Sequence, residues 1–265
     1  MTDVFVKRRA GAGPSYYRAE AAGLAWLREA AGAPVPEVIG VERDSLTIAR
    51  VPPQHPTADA AHRLGEQLAR THGAGAASFG AAPPGSPEPG WIADVPMAFG
   101  RFPTFATMYV ELRIEPYLRA ARESGRLRRA DADAIERLQS AVLNEPLRFV
   151  GPPEPPARLH GDLWHGNVVW SAGDDGAATG WLIDPAAYGG HRETDLAMLA
   201  LFGVPHFERI VQGYETVSPL APGWRQRVDL HQVYPLLVHA VLFGGGYGED
   251  AAAAARRSLA RREPG

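Results

Sequence analysis

The sequence contains no cysteine among its 265 residues, which excludes disulfides, thiolate nucleophiles and thiolate metal ligands. It also lacks any apolar run approaching the roughly 18 residues of a membrane-spanning helix. The first residues, MTDVFVKRRAGAG, do not have the pattern of a signal peptide. A net charge of −3 gives no reason to expect nucleic acid or an anionic membrane as a partner. We therefore expect a cytoplasmic protein that binds neither.

Lysine is almost absent. Of the 27 lysine and arginine residues, a single one, Lys7, is lysine. An abundance of arginine, alanine, glycine and proline is typical of a GC-rich genome, so the arginines carry no functional argument. A lysine that persists against this bias indicates a need for its compact ammonium group. Lys7 closes the predicted strand VFVK and is a candidate functional residue, although an ordinary exposed lysine is the alternative.

The hydrophobic pattern predicts two unequal parts. Residues 1–53 combine strand patterns with one amphipathic helix. Three prolines within PPQHP, residues 52–56, predict a hinge because neither a helix nor a strand continues through them. Residues 54–265 are mostly helical in pattern, apart from an irregular Gly- and Pro-rich segment at 74–104. The sequence therefore predicts an α+β protein with a small β-rich part and a larger helical part.

The segment LHGDLWHGNVVW contains the most informative spacing. His160, Asp162 and Asn167 follow the pattern H-x-D-x-x-x-x-N, which is that of the protein-kinase catalytic loop. In that loop an aspartate meets the attacking hydroxyl and an amide oxygen nearby holds Mg²⁺. Asp184, in WLIDP, ends the second strand of a predicted hairpin and would supply another oxygen ligand. The pattern predicts phosphoryl transfer with ATP and Mg²⁺.

Each of these residues also has a structural interpretation. His160 could be a hydrogen-bonded structural histidine, and Asp162 could cap a turn. Asp184, followed by Pro185, could do no more than begin a turn. The functional interpretation rests on their order and spacing between apolar strands.

This segment and IDPAAYGGHRETDLAMLALFG resemble the signatures of the fructosamine kinase (ketosamine-3-kinase) family. HGDLW-x-GN is more specific than HGD, which many small-molecule kinases contain. The resemblance continues through FVKR, AEAAGL, LGEQLARTHG, SFG, ELRIEPYLRAARESGRL and LHQVYPLLVHAVLFGGGY, and so covers most of the chain. It implies a protein-kinase-like two-lobe fold related to aminoglycoside phosphotransferases, with a β-rich N-lobe at 1–53 and a mainly helical C-lobe at 54–265.

The resemblance also assigns roles to individual residues. Asp162 would be the catalytic base, while Asn167 and Asp184 would bind Mg²⁺. Lys7 would hold the α- and β-phosphates of ATP and be oriented by Glu20, 13 residues later in the first helix. The partner implied is a small-molecule ketosamine of the fructosamine or ribulosamine type, phosphorylated on the 3-hydroxyl of its sugar.

A second set of residues follows less directly from the resemblance. Trp164 and His165 would lie at the substrate face, although packing is the alternative for Trp164. Arg192 and Glu193 would buttress the site or contact substrate, and helix capping with surface ion pairing is the alternative for Glu193. Asp195, together with the histidine of HGD, would give structural support by tying the loop to the helix that begins there.

One feature departs from the family pattern. Only six residues precede Lys7, whereas a kinase N-lobe places two strands and a glycine-rich loop before this lysine. We expect either that translation begins upstream of Met1 or that the lid over the ATP phosphates is lost. Loss of the lid predicts weak ATP binding, low turnover and an exposed edge on the strand VFVK.

Three functions therefore remain open. The intact HGD, asparagine and aspartate motifs favour a ketosamine kinase. A kinase of another acceptor, such as an aminoglycoside or a different amino sugar, would share the same nucleotide chemistry. The missing glycine-rich loop instead favours a non-catalytic binding protein with a kinase fold.

Overall fold

The computed structural model describes residues 3–9, 11, 13, 15–173 and 175–261. Its strands are β1 (Val4–Arg8), β2 (Val38–Val41), β3 (Ser45–Ala49), β4 (Gly90–Ile92), β5 (Val95–Met97), β6 (Ala157–Leu159), β7 (Val168–Ala172), β8 (Ala178–Leu182) and β9 (Tyr188–Gly190). Its α-helices are α1 (Tyr16–Glu29), α2 (Ala58–Gly73), α3 (Phe105–Met108), α4 (Glu115–Glu123), α5 (Arg129–Asn144), α6 (Pro146–Val150), α7 (Glu193–Leu201), α8 (Phe207–Val217), α9 (Trp224–Phe243) and α10 (Tyr247–Ala260).

The N-terminal sheet has the strand order β1-β3-β2, with all pairs antiparallel. Leu24 and Leu27 of α1 pack with Leu46 and Ile48 of β3 in one buried cluster. The other edge of β1 pairs with no strand among the described residues, and Phe5 on it is 47% exposed. The exposed edge predicted for VFVK is therefore present in this part of the chain.

Helices α2 and α8 touch along their backbones because each contributes a glycine to the contact. A Cβ atom on Gly65 would lie 1.9 Å from the carbonyl oxygen of Ile210, and one on Gly213 would lie 1.9 Å from that of His62. Any larger residue at either position would force the helices apart. Thr57 caps the start of α2, since its hydroxyl accepts a hydrogen bond from the amide of Ala60 at 3.1 Å.

The irregular segment predicted at 74–104 is only partly irregular. It contains the hairpin β4–β5, whose strands have three residues each and are too short to produce a period-2 pattern. The following helical pattern is divided by a π-helix, Tyr109–Ile114, and α4 begins immediately after it. Pro116 is the second residue of α4 and lies directly after the π-helix.

Helix α9, near the C-terminus, is largely buried and ends at a run of three glycines. Pro235 lies inside this helix. Next to the proline, the hydroxyl of Tyr109 bridges a backbone carbonyl and a backbone amide of the helix. That hydroxyl donates to the carbonyl of Leu230 at 2.6 Å and accepts from the amide of Tyr234 at 3.3 Å. None of the helices in the described residues is long and apolar enough to cross a membrane.

A buried ion pair joins α7 to α9. Arg227 donates to both carboxylate oxygens of Glu193 at 2.5 and 2.8 Å, and both side chains are at most 4% exposed. Burial opposes ionisation of Glu193, but the hydrogen bonds from Arg227 and the nearby ring of His231 outweigh it and hold the pKa of Glu193 at about 2. The sequence left buttressing, substrate contact, helix capping and surface ion pairing open for Glu193; in this structure it lies in the first turn of α7 and its ion pair is buried.

We expect Gly65→Ala to destabilise the protein by about 1–3 kcal/mol, because the added methyl group overlaps the backbone of α8. Gly73→Ala is the matched control, since it lies at the end of the same helix and its added methyl would meet no atom within 4 Å. Urea unfolding of the two variants measures the difference. Equal stabilities would contradict the close packing of α2 on α8.

Replacing the buried acid should destabilise the fold in a pH-dependent way. We expect Glu193→Gln to cost about 3–5 kcal/mol at pH 7, because Arg227 is left buried without a counter-charge. Since the pKa of Glu193 lies below its ordinary value, the ion pair stabilises the protein above pH 4.5 and loses this effect as pH falls towards 2.

Urea unfolding at pH 7 and at pH 3 measures both effects, and the gap between wild type and variant should shrink at pH 3. Glu208→Gln is the control, because Glu208 forms a similar pair with Arg225 on the surface. It should cost less than about 1 kcal/mol. A gap for Glu193→Gln that does not change with pH would refute the assigned ion pair.

Candidate active site

A cavity of about 310 Å³ lies between α1, the hairpin β4–β5, the loops around β6–β9 and the C-terminal half of α9. Six residues singled out in the sequence line it together, namely Lys7, Glu20, Asp162, Trp164, Asn167 and Asp184. They come from points of the chain separated by up to 177 residues. The fold therefore brings the predicted polar residues into one concave site.

Lys7 bridges two of these carboxylates. Its ammonium group lies 2.6 Å from Oε1 of Glu20 and 2.7 Å from Oδ1 of Asp184. The side chain is only 19% exposed. Burial alone would lower the pKa of Lys7, but the charges and hydrogen bonds of the two carboxylates outweigh it and raise that pKa above its ordinary value. The lysine is therefore a fixed cation inside the cavity.

Asp162 and Asn167 are held against each other by one tight turn. The side-chain nitrogen Nδ2 of Asn167 donates to the backbone oxygen of Asp162 at 2.7 Å and to Oδ2 of Asp162 at 3.1 Å. A single turn of 3₁₀-helix, His165–Asn167, sets this separation. Burial raises the pKa of Asp162 to about 7; the hydrogen bond from Asn167 opposes this rise, and the charges of Asp184 and Asp195 add to it.

Asp184 is placed by the end of the hairpin β7–β8. The hairpin has the predicted antiparallel pairing, from Val168 opposite Leu182 to Ala172 opposite Ala178. Asp184 follows two residues after β8 and adopts a left-handed backbone conformation with φ +56°. Such a conformation is unfavourable for a residue other than glycine and is common at functional sites.

The loop that carries Asp162 is held in place by Asp195, which lies in the first turn of α7. Its buried carboxylate accepts hydrogen bonds from the amides of His160 at 2.8 Å and Gly161 at 3.0 Å. The same carboxylate lies 3.1 Å from Nε2 of His72 in α2. Burial alone would raise the pKa of Asp195, but the hydrogen bond and charge of His72 lead the opposing contributions and keep it below its ordinary value.

Two further features make this loop rigid. The ring of His160 is fully buried and its Nε2 lies 2.8 Å from the carbonyl of Ile183, just before Asp184. Gly161 has φ +81°, and a Cβ atom there would lie 2.0 Å from the carbonyl oxygen of Ala186. The glycine of HGD is therefore required both by its backbone conformation and by the close approach of the next loop.

The oxygen atoms around Asn167 and Asp184 fit a hard divalent cation. Within the described part of the chain, the amide oxygen of Asn167 and the second carboxylate oxygen of Asp184 have no hydrogen-bond partner. Amide and carboxylate oxygens of this kind suit Mg²⁺. The donor set is therefore chemically compatible with the predicted metal.

Three residues expected to contact substrate do not line the cavity. His165 is exposed and its ring packs edge-on against Trp164, with 4.9 Å between ring centroids. Arg192 donates to both oxygens of Glu154 at 2.7 Å and to Ser218, so it braces neighbouring loops. Glu193 is occupied by the buried ion pair with Arg227. In this structure these three side chains therefore lie outside the lining of the cavity, and substrate contact by them stays a prediction.

A large part of the cavity wall comes from residues that the sequence left without a role, chiefly Trp91, Met97, Phe99, Val238, His239, Leu242 and Phe243. Trp91 and Met97 belong to the hairpin β4–β5, and the indole N–H of Trp91 donates to Ser15 at 3.2 Å. The one sequence signal was the short pattern GWIADVPM inside the Gly- and Pro-rich segment.

Comparison with known proteins agrees with this geometry. A protein named probable ketoamine kinase from Vibrio parahaemolyticus is 34% identical over 247 residues, covering 89% of this chain and 77% of that protein. The crystal structure of a candidate fructosamine-3-kinase from Thermobifida fusca has a TM-score of 0.87 and 46% identity, covering 97% of this chain and 86% of that one.

A more distant solved structure has the same fold. The choline kinase LicA from Streptococcus pneumoniae has a TM-score of 0.56 at 16% identity, covering 97% of this chain and 85% of that chain. The α+β, protein-kinase-like fold predicted from the sequence is therefore confirmed. The family profile described as fructosamine kinase matches residues 1–261. The chain thus belongs to the fructosamine kinase family of phosphotransferases.

Proposed function

We propose that this protein transfers the γ-phosphoryl group of ATP to the 3-hydroxyl of the sugar of a ketosamine. The observation that carries the proposal is the convergence of Lys7, Asp162, Asn167 and Asp184 in one cavity. The names of its relatives, fructosamine kinase and ketoamine kinase, support this acceptor class. In this proposal, residues 1–53 form the nucleotide side of the protein and residues 54–265 carry the catalytic loops.

Lys7 would hold the α- and β-phosphates of ATP. Its ammonium group is already oriented by Glu20, which lies on α1 and so ties β1 to that helix. Asp184 also accepts a hydrogen bond from this ammonium group. Electrostatic stabilisation of phosphate charge by a fixed cation requires little reorganisation when the substrate arrives.

Asn167 and Asp184 would hold Mg²⁺ through their oxygen atoms. The ion, when bound, would neutralise phosphate charge and help to orient the γ-phosphoryl group. The turn from Asp162 to Asn167 would keep the proposed metal ligand Asn167 at a fixed distance from the proposed base Asp162.

Asp162 would orient the sugar hydroxyl and accept its proton. Its carboxylate lies in the cavity, and its loop is fastened by two hydrogen bonds to Asp195. A general base of this kind contributes through position as much as through basicity. Trp164, two residues after Asp162, would pack against the sugar or the substituent on its nitrogen.

We expect Asp162→Asn to lower kcat by about 10²–10⁴-fold, because the hydroxyl loses its proton acceptor. The KM for ATP should change little, since Asp162 is not proposed to bind the nucleotide. The assay is Mg²⁺-dependent ATP consumption with a fructosyl- or ribulosyl-lysine derivative. An aminoglycoside assayed in parallel distinguishes the alternative acceptor class.

Two results would contradict this proposal. A variant Asp162→Asn that kept most of the activity would exclude this residue as the base. Phosphorylation of the aminoglycoside but not of either ketosamine would move the protein to the other acceptor class. ATP binding without turnover of any acceptor would favour a non-catalytic protein.

We expect Lys7→Met to raise the KM for ATP by about 10–100-fold, because charge-assisted hydrogen bonds contribute about 1.5–3 kcal/mol. Arg8→Met is the matched control, since Arg8 is the next residue of β1 and its side chain points to the opposite face of the sheet. Steady-state kinetics with varied ATP measures both. An equal effect of the two substitutions would show that general charge, rather than Lys7, governs nucleotide affinity.

A further inference from the structure

The ionisable residues of the cavity are mostly acidic. Four carboxylates line it, from Glu20, Asp94, Asp162 and Asp184, against one ammonium group, from Lys7. Lys7 is the only lysine or arginine among the described residues that line the cavity, and it is already paired with two of these carboxylates. The site therefore carries an excess of negative charge, and a bound Mg²⁺–ATP complex, itself anionic, would increase it.

Asp94 is the lining carboxylate that the proposed phosphoryl transfer does not use. It lies in the turn of the hairpin β4–β5, in the part of the wall formed by residues 83–99. It pairs with Arg9, whose guanidinium also lies 5.0 Å from the ring centroid of Tyr16. Arg9 does not line the cavity. The cation that pairs with Asp94 therefore lies outside the cavity lining.

Three other polar side chains of the cavity wall already have hydrogen-bond partners. Trp91 directs its indole N–H to Ser15, and the hydroxyl of Ser86 donates to the backbone of Pro87. His239 lies 2.8 Å from the carbonyl of Pro235 through Nδ1, which assigns its proton to that nitrogen and leaves Nε2 as an acceptor. Phe243, at the rim, is 67% exposed and apolar.

We propose that the site selects ketosamines whose nitrogen carries an uncharged substituent, and that Asp94 is the specificity-determining residue that disfavours a carboxylate there. This inference rests on the proposed ketosamine kinase function. A ketosamine nitrogen is a protonated secondary amine at neutral pH, so the acidic cavity attracts it. A carboxylate on the adjacent carbon would be repelled by Asp94.

The test compares N-(1-deoxyfructosyl)glycine with N-(1-deoxyfructosyl)glycinamide, at a pH low enough to protonate the nitrogen of both, so that the two acceptors differ in one charge. The wild-type protein should use the amide with a kcat/KM at least about tenfold higher, a difference of about 1.4 kcal/mol. The difference should appear in the acceptor KM rather than in kcat. It should also decrease at high ionic strength, because salt screens the repulsion.

Three variants separate the charge of Asp94 from other effects. Asp94→Asn should reduce the amide-to-acid ratio several-fold, since it removes the repulsion and releases Arg9. Arg9→Gln should keep the ratio or raise it, because Asp94 then loses its counter-charge. Asp175→Asn is the matched control, since Asp175 pairs with Arg63 on an exposed turn outside the cavity and should leave the ratio unchanged.

The outcomes separate this inference from the function on which it rests. Equal use of both acceptors by the wild-type protein, or an unchanged ratio in Asp94→Asn, would overturn the selection by charge while leaving the ketosamine kinase function standing. Turnover of neither acceptor would overturn the proposed function and this inference with it. A ratio that falls in Asp94→Asn but not in Arg9→Gln supports both.

Discussion

The site depends on one buried carboxylate that contacts no substrate. Asp195 is inaccessible to solvent, and its two oxygens accept hydrogen bonds from the amides of His160 and Gly161 while lying within reach of His72. It thereby ties α2, α7 and the loop of Asp162 to one point. A buried charge is tolerated only where its hydrogen-bonding capacity is satisfied, so any displacement of the loop would leave the carboxylate without partners. This constraint gives the loop its fixed position.

The acidic residues Glu193, Asp195 and Asp162 fall into two groups with different environments. Glu193 and Asp195 are buried and satisfied by neighbouring arginine, histidine and backbone donors, so their pKa values lie below the ordinary range. Asp162 lies in the cavity with only one amide donor, and its pKa is raised instead. The first group holds the helices and loops together. Asp162 is available to substrate, because none of the described arginines pairs with it.

The sequence predicted much of the architecture that positions the site. Alternation and turn residues predicted the strands β2 and β3 and the hairpin β7–β8, because local pairing across a short turn produces a local pattern. The hairpin β4–β5 was missed, since strands of three residues leave no period to detect. The π-helix before α4 was also missed, because its hydrophobic pattern is close to that of an α-helix.

By itself, the sequence determined that a single lysine, an HGD loop and an aspartate after a hairpin would be the polar residues of a kinase-like site. Their roles remain predictions, but the short spacings between Asp162 and Asn167 and between β8 and Asp184 already limited how far apart they could lie. Only the tertiary structure decided which charged neighbours face the cavity. Arg192 pairs with Glu154 and Glu193 pairs with Arg227, whereas Asp94 lines the cavity. The two ion pairs join residues 38 and 34 positions apart, which no local sequence pattern records.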